Sequence, residues 1–200
     1  LKEKKIMPVE EALKMIRPVI RSLQEIHKNN LIHRDITPDN IFITKSGELK
    51  VLDFGSARYS ALAQNKSISV IVKQGYAPPE QYQLYKDQGP WTDVYSLAAT
   101  IYKMITGKVP EDSITRMVKD TLEAPSALGI TITKSQENAL LNALNTKISS
   151  RTQTMDAFEK QLFSEEEVPQ IDNETGQPVK KPQKKWIPPV IAAGICVLCI

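Results

Sequence analysis

Two polar clusters on either side of a short hairpin constrain this chain more than any other feature. The first is His33-Arg34-Asp35-Ile36-Thr37-Pro38-Asp39-Asn40 and the second is Asp53-Phe54-Gly55. Between them, Ile41–Thr44 and Leu49–Leu52 are short apolar runs separated by Lys45-Ser46-Gly47-Glu48, the pattern of two strands and a turn. A hairpin returns the chain on itself, so Asp53 comes back to the neighbourhood of Asn40. The two can then act as oxygen ligands from adjoining segments to one magnesium ion. Asp35 can accept a proton. A proton acceptor for a hydroxyl, with oxygen ligands for magnesium around phosphates, is the equipment of phosphoryl transfer.

The rest of the chain narrows the classes. Its 200 residues favour one domain with a tail, and 41% apolar with 24% charged residues is a globular composition. The only cysteines, Cys196 and Cys199, lie at the very end and there are two histidines, which leaves no disulfide framework and no zinc domain in the body. The net charge of +3 is local. Four lysines (Lys180, Lys181, Lys184, Lys185) and no acid follow Val179, so residues 1–179 carry 22 basic against 23 acidic groups, a net of −1. The body offers no electrostatic footprint for nucleic acid.

Apolar residues at Val9, Ala12, Leu13, Ile16, Ile20, Leu23 and Ile26 predict a helix over Pro8–Asn29, with Pro18 expected to kink it. Residues 53–90 hold glycines, prolines and serines without lasting periodicity and read as one long functional loop. Val94, Leu97, Ala98, Ile101, Met104 and Ile105 predict a central buried helix, with Thr92 as N-cap and Gly107 as its stop. Further helices are expected near 111–119, 135–145 and 154–163. Residues 164–186 read as a linker. Ile187–Ile200 is uncharged over 14 residues and follows the lysines and Trp186. It reads as the start of a transmembrane helix with residues 1–185 on the cytoplasmic side.

The ordered set of motifs resembles the eukaryotic-type protein kinase family, and within it the bacterial membrane-anchored serine/threonine kinases. His33-Arg34-Asp35 is followed by asparagine five residues after the aspartate, then by Asp53-Phe54-Gly55, and Pro78-Pro79-Glu80 stands where the family has Ala-Pro-Glu. The implied fold class is α+β: a kinase-like large lobe, mostly helical with a short β-hairpin, over 1–163. The linker 164–186 and the first part of a transmembrane helix, 187–200, would follow. No glycine-rich phosphate loop and no Val-Ala-Ile-Lys strand precede the first helix, so the small lobe is expected to lie before Leu1 or to be absent, and the fragment alone is expected to be inactive.

The resemblance implies ATP and Mg2+ as cofactors and protein hydroxyls as acceptors. Asp35 would be the catalytic base, with Asn40 and Asp53 as metal ligands and Phe42 packing beneath adenine. His33 would pack rather than transfer protons, and Arg34 would pair with a phosphate on the activation loop. Asp93 would hold the catalytic loop backbone, and Glu80 and Arg151 would form a buried ion pair. Two positions depart from the family. Thr37 replaces the lysine two residues after the catalytic aspartate, and Lys73 replaces the threonine three residues before Tyr76. A lysine delivered from the far side of the site can replace the missing charge, so Lys73 joins Asp35 as a catalytic candidate. The competing reading is a membrane-anchored pseudokinase serving as a binding module; a small-molecule kinase of the same fold is a weaker third.

Overall fold

Helix α1 (Val9–Lys28) forms on the expected face: Val9, Ala12, Leu13, Ile16, Val19, Ile20 and Leu23 are buried. The helix runs unbroken through Pro18, and the Ser22 hydroxyl donates to the Pro18 carbonyl at 3.0 Å. An interior proline costs about 3 kcal/mol. Burying each large apolar side chain returns about 1.5–3 kcal/mol, so the packed face outweighs the missing bond. The computed structural model describes residues 6–44, 47, 49–51, 58–59, 72–82 and 88–164. All of these lie in the unit Leu1–Val168; a second unit, Pro169–Ile200, lies wholly outside the described residues.

The centre of the core is α2 (Pro90–Thr106), in which 14 of 17 residues are buried. Gly89 is its N-cap and Pro90 its first residue, because proline's fixed φ suits a helix start. Thr92, expected as the cap, stands three residues beyond Gly89. Its hydroxyl accepts the Gly89 N–H at 3.3 Å and donates to Glu80 Oε1 at 3.1 Å. Gly107 ends the helix with φ +71° and returns its N–H to the Lys103 carbonyl at 3.0 Å, a conformation glycine adopts without a side-chain clash.

Three further helices follow: α3 (Ser113–Val118), α4 (Lys134–Ala143) and α5 (Met155–Leu162). Each carries a side-chain cap. Asp112 accepts from the Ile114 N–H, Thr133 from Gln136 and Thr154 from Ala157. Each such cap stabilises its helix by about 1 kcal/mol. α1, α2, α4 and α5 bury their apolar faces in one cluster that includes Ile16, Ile20, Leu97, Ile101, Leu140 and Phe158.

The hairpin is present. β2 (Ile41–Ile43) and β3 (Leu49–Val51) pair antiparallel, with Ile41 opposite Val51, Phe42 opposite Lys50 and Ile43 opposite Leu49. A second small sheet was not expected: β1 (Leu31–Ile32) pairs antiparallel with β4 (Arg58–Tyr59), inside the stretch read as loop. Strands two residues long leave no alternation to detect. The described residues of the lobe are thus mostly helical with two small antiparallel ribbons. Among the described residues no helix is long and apolar enough to cross a membrane; the expected span at 187–200 and most of the linker lie outside them.

Candidate active site

The loop after β1 is organised by one buried carboxylate. Asp93, fully buried in the first turn of α2, accepts the Arg34 N–H on Oδ1 and the His33 N–H on Oδ2, both at 2.8 Å. Its Oδ2 also takes His27 Nε2 at 2.8 Å. A carboxylate only accepts, so His27 carries its proton on Nε2. Arg34 sits at φ +71°, a left-handed conformation that costs a non-glycine residue about 1–3 kcal/mol. Its backbone is gripped on both sides, by Asp93 at the N–H and by Gln81 Nε2, which donates to the Arg34 carbonyl at 2.6 Å.

Beyond Arg34 the chain forms a 3-10 turn, Pro38–Asn40, with the Asn40 N–H on the Thr37 carbonyl at 3.0 Å. That turn folds the Asn40 side chain back on Asp35. Asn40 Nδ2 donates to the Asp35 carbonyl at 2.9 Å and to Asp35 Oδ2 at 2.7 Å. Both amino protons are then engaged, and the Asn40 carbonyl oxygen is left as the atom through which it can ligate a hard cation. The Asp35 N–H donates to His33 Nδ1 at 3.3 Å. His33 is fully buried and serves the loop as a structural acceptor, in line with its expected packing role.

The segment 72–82 meets this loop from the other side. Lys73 Nζ forms an ion pair with Asp39 Oδ2. The Lys73 carbonyl accepts the N–H groups of Tyr76 and Ala77 at 3.1 and 3.0 Å. Burial, and then the charge of Asp39, push the Tyr76 hydroxyl pKa up. Downstream, Glu80 and Arg151 form the expected buried pair, bidentate through both carboxylate oxygens, at 1% and 3% exposure. Arg151 also donates to the carbonyls of Asn145, Trp91 and Thr146 and lies 5.0 Å over the Tyr95 ring. Buried Arg116 holds the Tyr95 hydroxyl at 3.0 Å and the Leu144 carbonyl at 3.0 Å. Burial raises the Tyr95 pKa despite both guanidiniums.

The candidates divide accordingly. Asp35 and Asn40 are brought together. Lys73 reaches the same loop, but it pairs there with Asp39, two residues beyond Thr37. Thr37 is 2% exposed, and its hydroxyl has no hydrogen-bond partner among the described residues. Phe42 stands on the hairpin at 53% exposure, so it is not hairpin core. Asp53 lies outside the described residues, but Val51, two residues before it, pairs with Ile41, the neighbour of Asn40. The sequence reading missed Gln81, His27 and Asp39. Gln81 directly follows Pro78-Pro79-Glu80, which was its only signal, and Asp39 was visible as the second acid of the catalytic loop.

Comparison with known proteins gives the same picture. The protein kinase domain family matches residues 1–167. A probable serine/threonine-protein kinase of Clostridium perfringens is 35% identical over 164 residues, covering 77% of this chain and 23% of that protein. The serine/threonine-protein kinase PknL of Mycobacterium tuberculosis is 37% identical over 105 residues, covering 52% of this chain and 26% of its own length. PknA of the same species is 36% identical over 126 residues, with 61% and 29% covered. Among solved structures, the apo form of PpkA-294 superposes with a TM-score of 0.63 at 33% identity, covering 74% of this chain and 52% of that one. The chain spans about a quarter of the length of these curated relatives. With its motifs in order, its fold shared and its first 167 residues matched, the chain belongs to the protein kinase domain family.

Proposed function

We propose that the protein containing this chain is a serine/threonine protein kinase that moves the ATP γ-phosphoryl group to a protein hydroxyl. The observation that carries this reading is the Asp35–Asn40 arrangement. An aspartate fixed at 2.7 Å by an asparagine amide presents its other carboxylate oxygen as a proton acceptor, while the asparagine keeps a carbonyl oxygen for a cation. Bound Mg2+ would neutralise charge on the phosphates; Asn40 and Asp53 are the residues that would hold it, and an all-oxygen donor set fits that metal. Phe42, exposed on the hairpin, is suited to lie beneath adenine. Lys73 would supply the positive charge that Thr37 does not. The names of the relatives favour catalysis over the pseudokinase alternative. The lysine-flanked run 187–200 supports one membrane span with the lobe on the cytoplasmic side and the lipid bilayer as a partner.

The test is Asp35→Asn in the full-length protein, read by transfer of labelled phosphate to a serine/threonine peptide library and by circular dichroism. Turnover should fall by about 10²–10⁴ with the fold intact. Near wild-type turnover would refute the assignment. Asp53→Ala should weaken magnesium-ATP binding by titration, and unchanged affinity would remove Asp53 from the site.

A further inference from the structure

Lys73 and Asp39 belong to different chain segments, and each rests on a frame of its own. Asp39 lies in the 3-10 turn Pro38–Asn40, whose last residue grips Asp35 through two hydrogen bonds. Lys73 begins the turn that leads through Tyr76 and Ala77 into Pro78-Pro79-Glu80. That stretch is anchored by the buried Glu80–Arg151 pair and by Gln81 on the Arg34 carbonyl. Gly75 fixes the path between the two. It has φ +81°, and a Cβ there would come within 2.4 Å of Val109 Cγ1 and 2.5 Å of the Pro110 carbonyl. The Lys73–Asp39 pair is the point where these two frames meet by charge.

The pair is half exposed: the side chains are 37% accessible for Lys73 and 66% for Asp39. Exposed ion pairs contribute little to stability, so its consequence is geometric. A lysine ammonium rides on a flexible four-carbon stem with high rotamer entropy. A carboxylate on the catalytic loop removes that freedom before substrate arrives. The loop needs such help, because Thr37 has no charge and is 2% exposed. It also carries a second acid, and without the lysine the Asp39 carboxylate would add negative charge to a loop that must receive a phosphoryl group.

We propose that Asp39 is a positioning residue that holds the Lys73 ammonium against the catalytic loop, so that the cation serving the transferred phosphate is mounted on the activation segment and is present only when that segment is docked. The inference rests on the kinase reading above and deepens it: phosphoryl transfer is conditional on the order of residues 72–82. Three consequences separate it from a merely structural pair. Lys73 acts in the transition state, so its loss lowers kcat more than it raises the KM for ATP. Asp39 acts only through Lys73, so the two losses do not multiply. A carboxylate one methylene longer still reaches the ammonium.

The experiment is a double-mutant cycle in the full-length protein with Asp39→Asn, Lys73→Met and their combination, plus Asp39→Glu, under steady-state phosphate transfer. Hydrogen exchange at the Tyr76 and Ala77 amides is followed in each variant. Lys73→Met is expected to lower kcat by about 10²-fold, the range for loss of one transition-state donor. Asp39→Asn should lower it by about tenfold or more, and the double variant should fall no further than Lys73→Met alone. Asp39→Glu should recover most of the loss. Exchange at Tyr76 and Ala77 should speed up alike in Asp39→Asn and Lys73→Met. Multiplying losses, an Asp39→Asn kcat within about twofold of wild type, no recovery in Asp39→Glu, or unchanged exchange would each overturn the inference while leaving an active kinase. A wild-type protein that transfers no phosphate would instead bring down the kinase reading itself.

Discussion

Replacing Arg151 by methionine tests how much of the lobe hangs on a single guanidinium. In the folded protein that group is 3% exposed and makes two hydrogen bonds to Glu80 and three to the carbonyls of Trp91, Asn145 and Thr146. Methionine fills similar volume but donates nothing. Among the described residues Glu80, at 1% exposure, keeps only the Thr92 hydroxyl as a side-chain partner, at 3.1 Å. Stripping one partner from a buried ion pair costs about 3–5 kcal/mol, a large share of the 5–15 kcal/mol that typically holds a domain. For a domain of this size each kcal/mol lowers the melting temperature by about 2–4 °C, so a drop of roughly 6–20 °C is expected. Differential scanning calorimetry of wild-type and Arg151→Met protein reads it directly. The double variant Glu80→Gln, Arg151→Met should regain part of the loss, because the unpaired carboxylate is gone. A single-variant shift under about 2 °C, or a double variant that melts lower still, would refute the assignment of the cost to an orphaned charge.

Two further outcomes follow from local geometry. Gly75→Ala adds a Cβ that meets Val109 and the Pro110 carbonyl at φ +81°; the segment 72–82 should detach, seen as faster limited proteolysis there with little change in α1 or α2. The Arg116 hydrogen bonds hold the Asp120 carboxyl below its usual range. The folded protein then binds that proton more weakly than the unfolded chain, so the contribution is present above about pH 4 and is lost as the pH falls below it. Asp120→Asn should therefore flatten the acid limb of a stability-versus-pH curve, and its effect should shrink as the pH falls.

The parts legible in the sequence were those written as contiguous residues or as a repeating period. Apolar spacing located α1 within one residue at each end and α2 within three at its start, the expected ranges for α3, α4 and α5 lay within about two residues, and the two apolar runs were the hairpin strands. Asp93 and the Glu80–Arg151 pair were readable because the family resemblance assigns them, and the structure puts each where that assignment requires. What escaped is set by contacts between distant positions. β1 and β4 are too short to carry a pattern. Gln81 matters only because its amide reaches Arg34, 47 residues away in sequence. Lys73 was identified as an anomaly, but its partner Asp39 follows from how two segments dock. The N-terminus of α2 shifted to Gly89 because proline at the first helical position outranked a threonine cap.

The two ribbons have a consequence for how the chain tolerates change in length. The β1–β4 pairing, Leu31 with Tyr59, closes a ring of 27 residues, and the β2–β3 pairing, Ile43 with Leu49, closes a ring of five nested inside it. Residues added at the inner tip leave the register of both pairings unchanged. Gly47 stands there at φ +84°, and a Cβ at that position would meet nothing within 4 Å. Doubling a flexible loop costs only about 0.6 kcal/mol, so that tip is the permissive position of the region. Between Asp35 and Asn40 the same insertion would lengthen the one stretch in which a side-chain amide must close back on a backbone carbonyl and a carboxylate five residues earlier. Length is therefore free to vary in one part of a single short stretch of chain and fixed in another, and a tag or label placed at Gly47 would leave both rings closed.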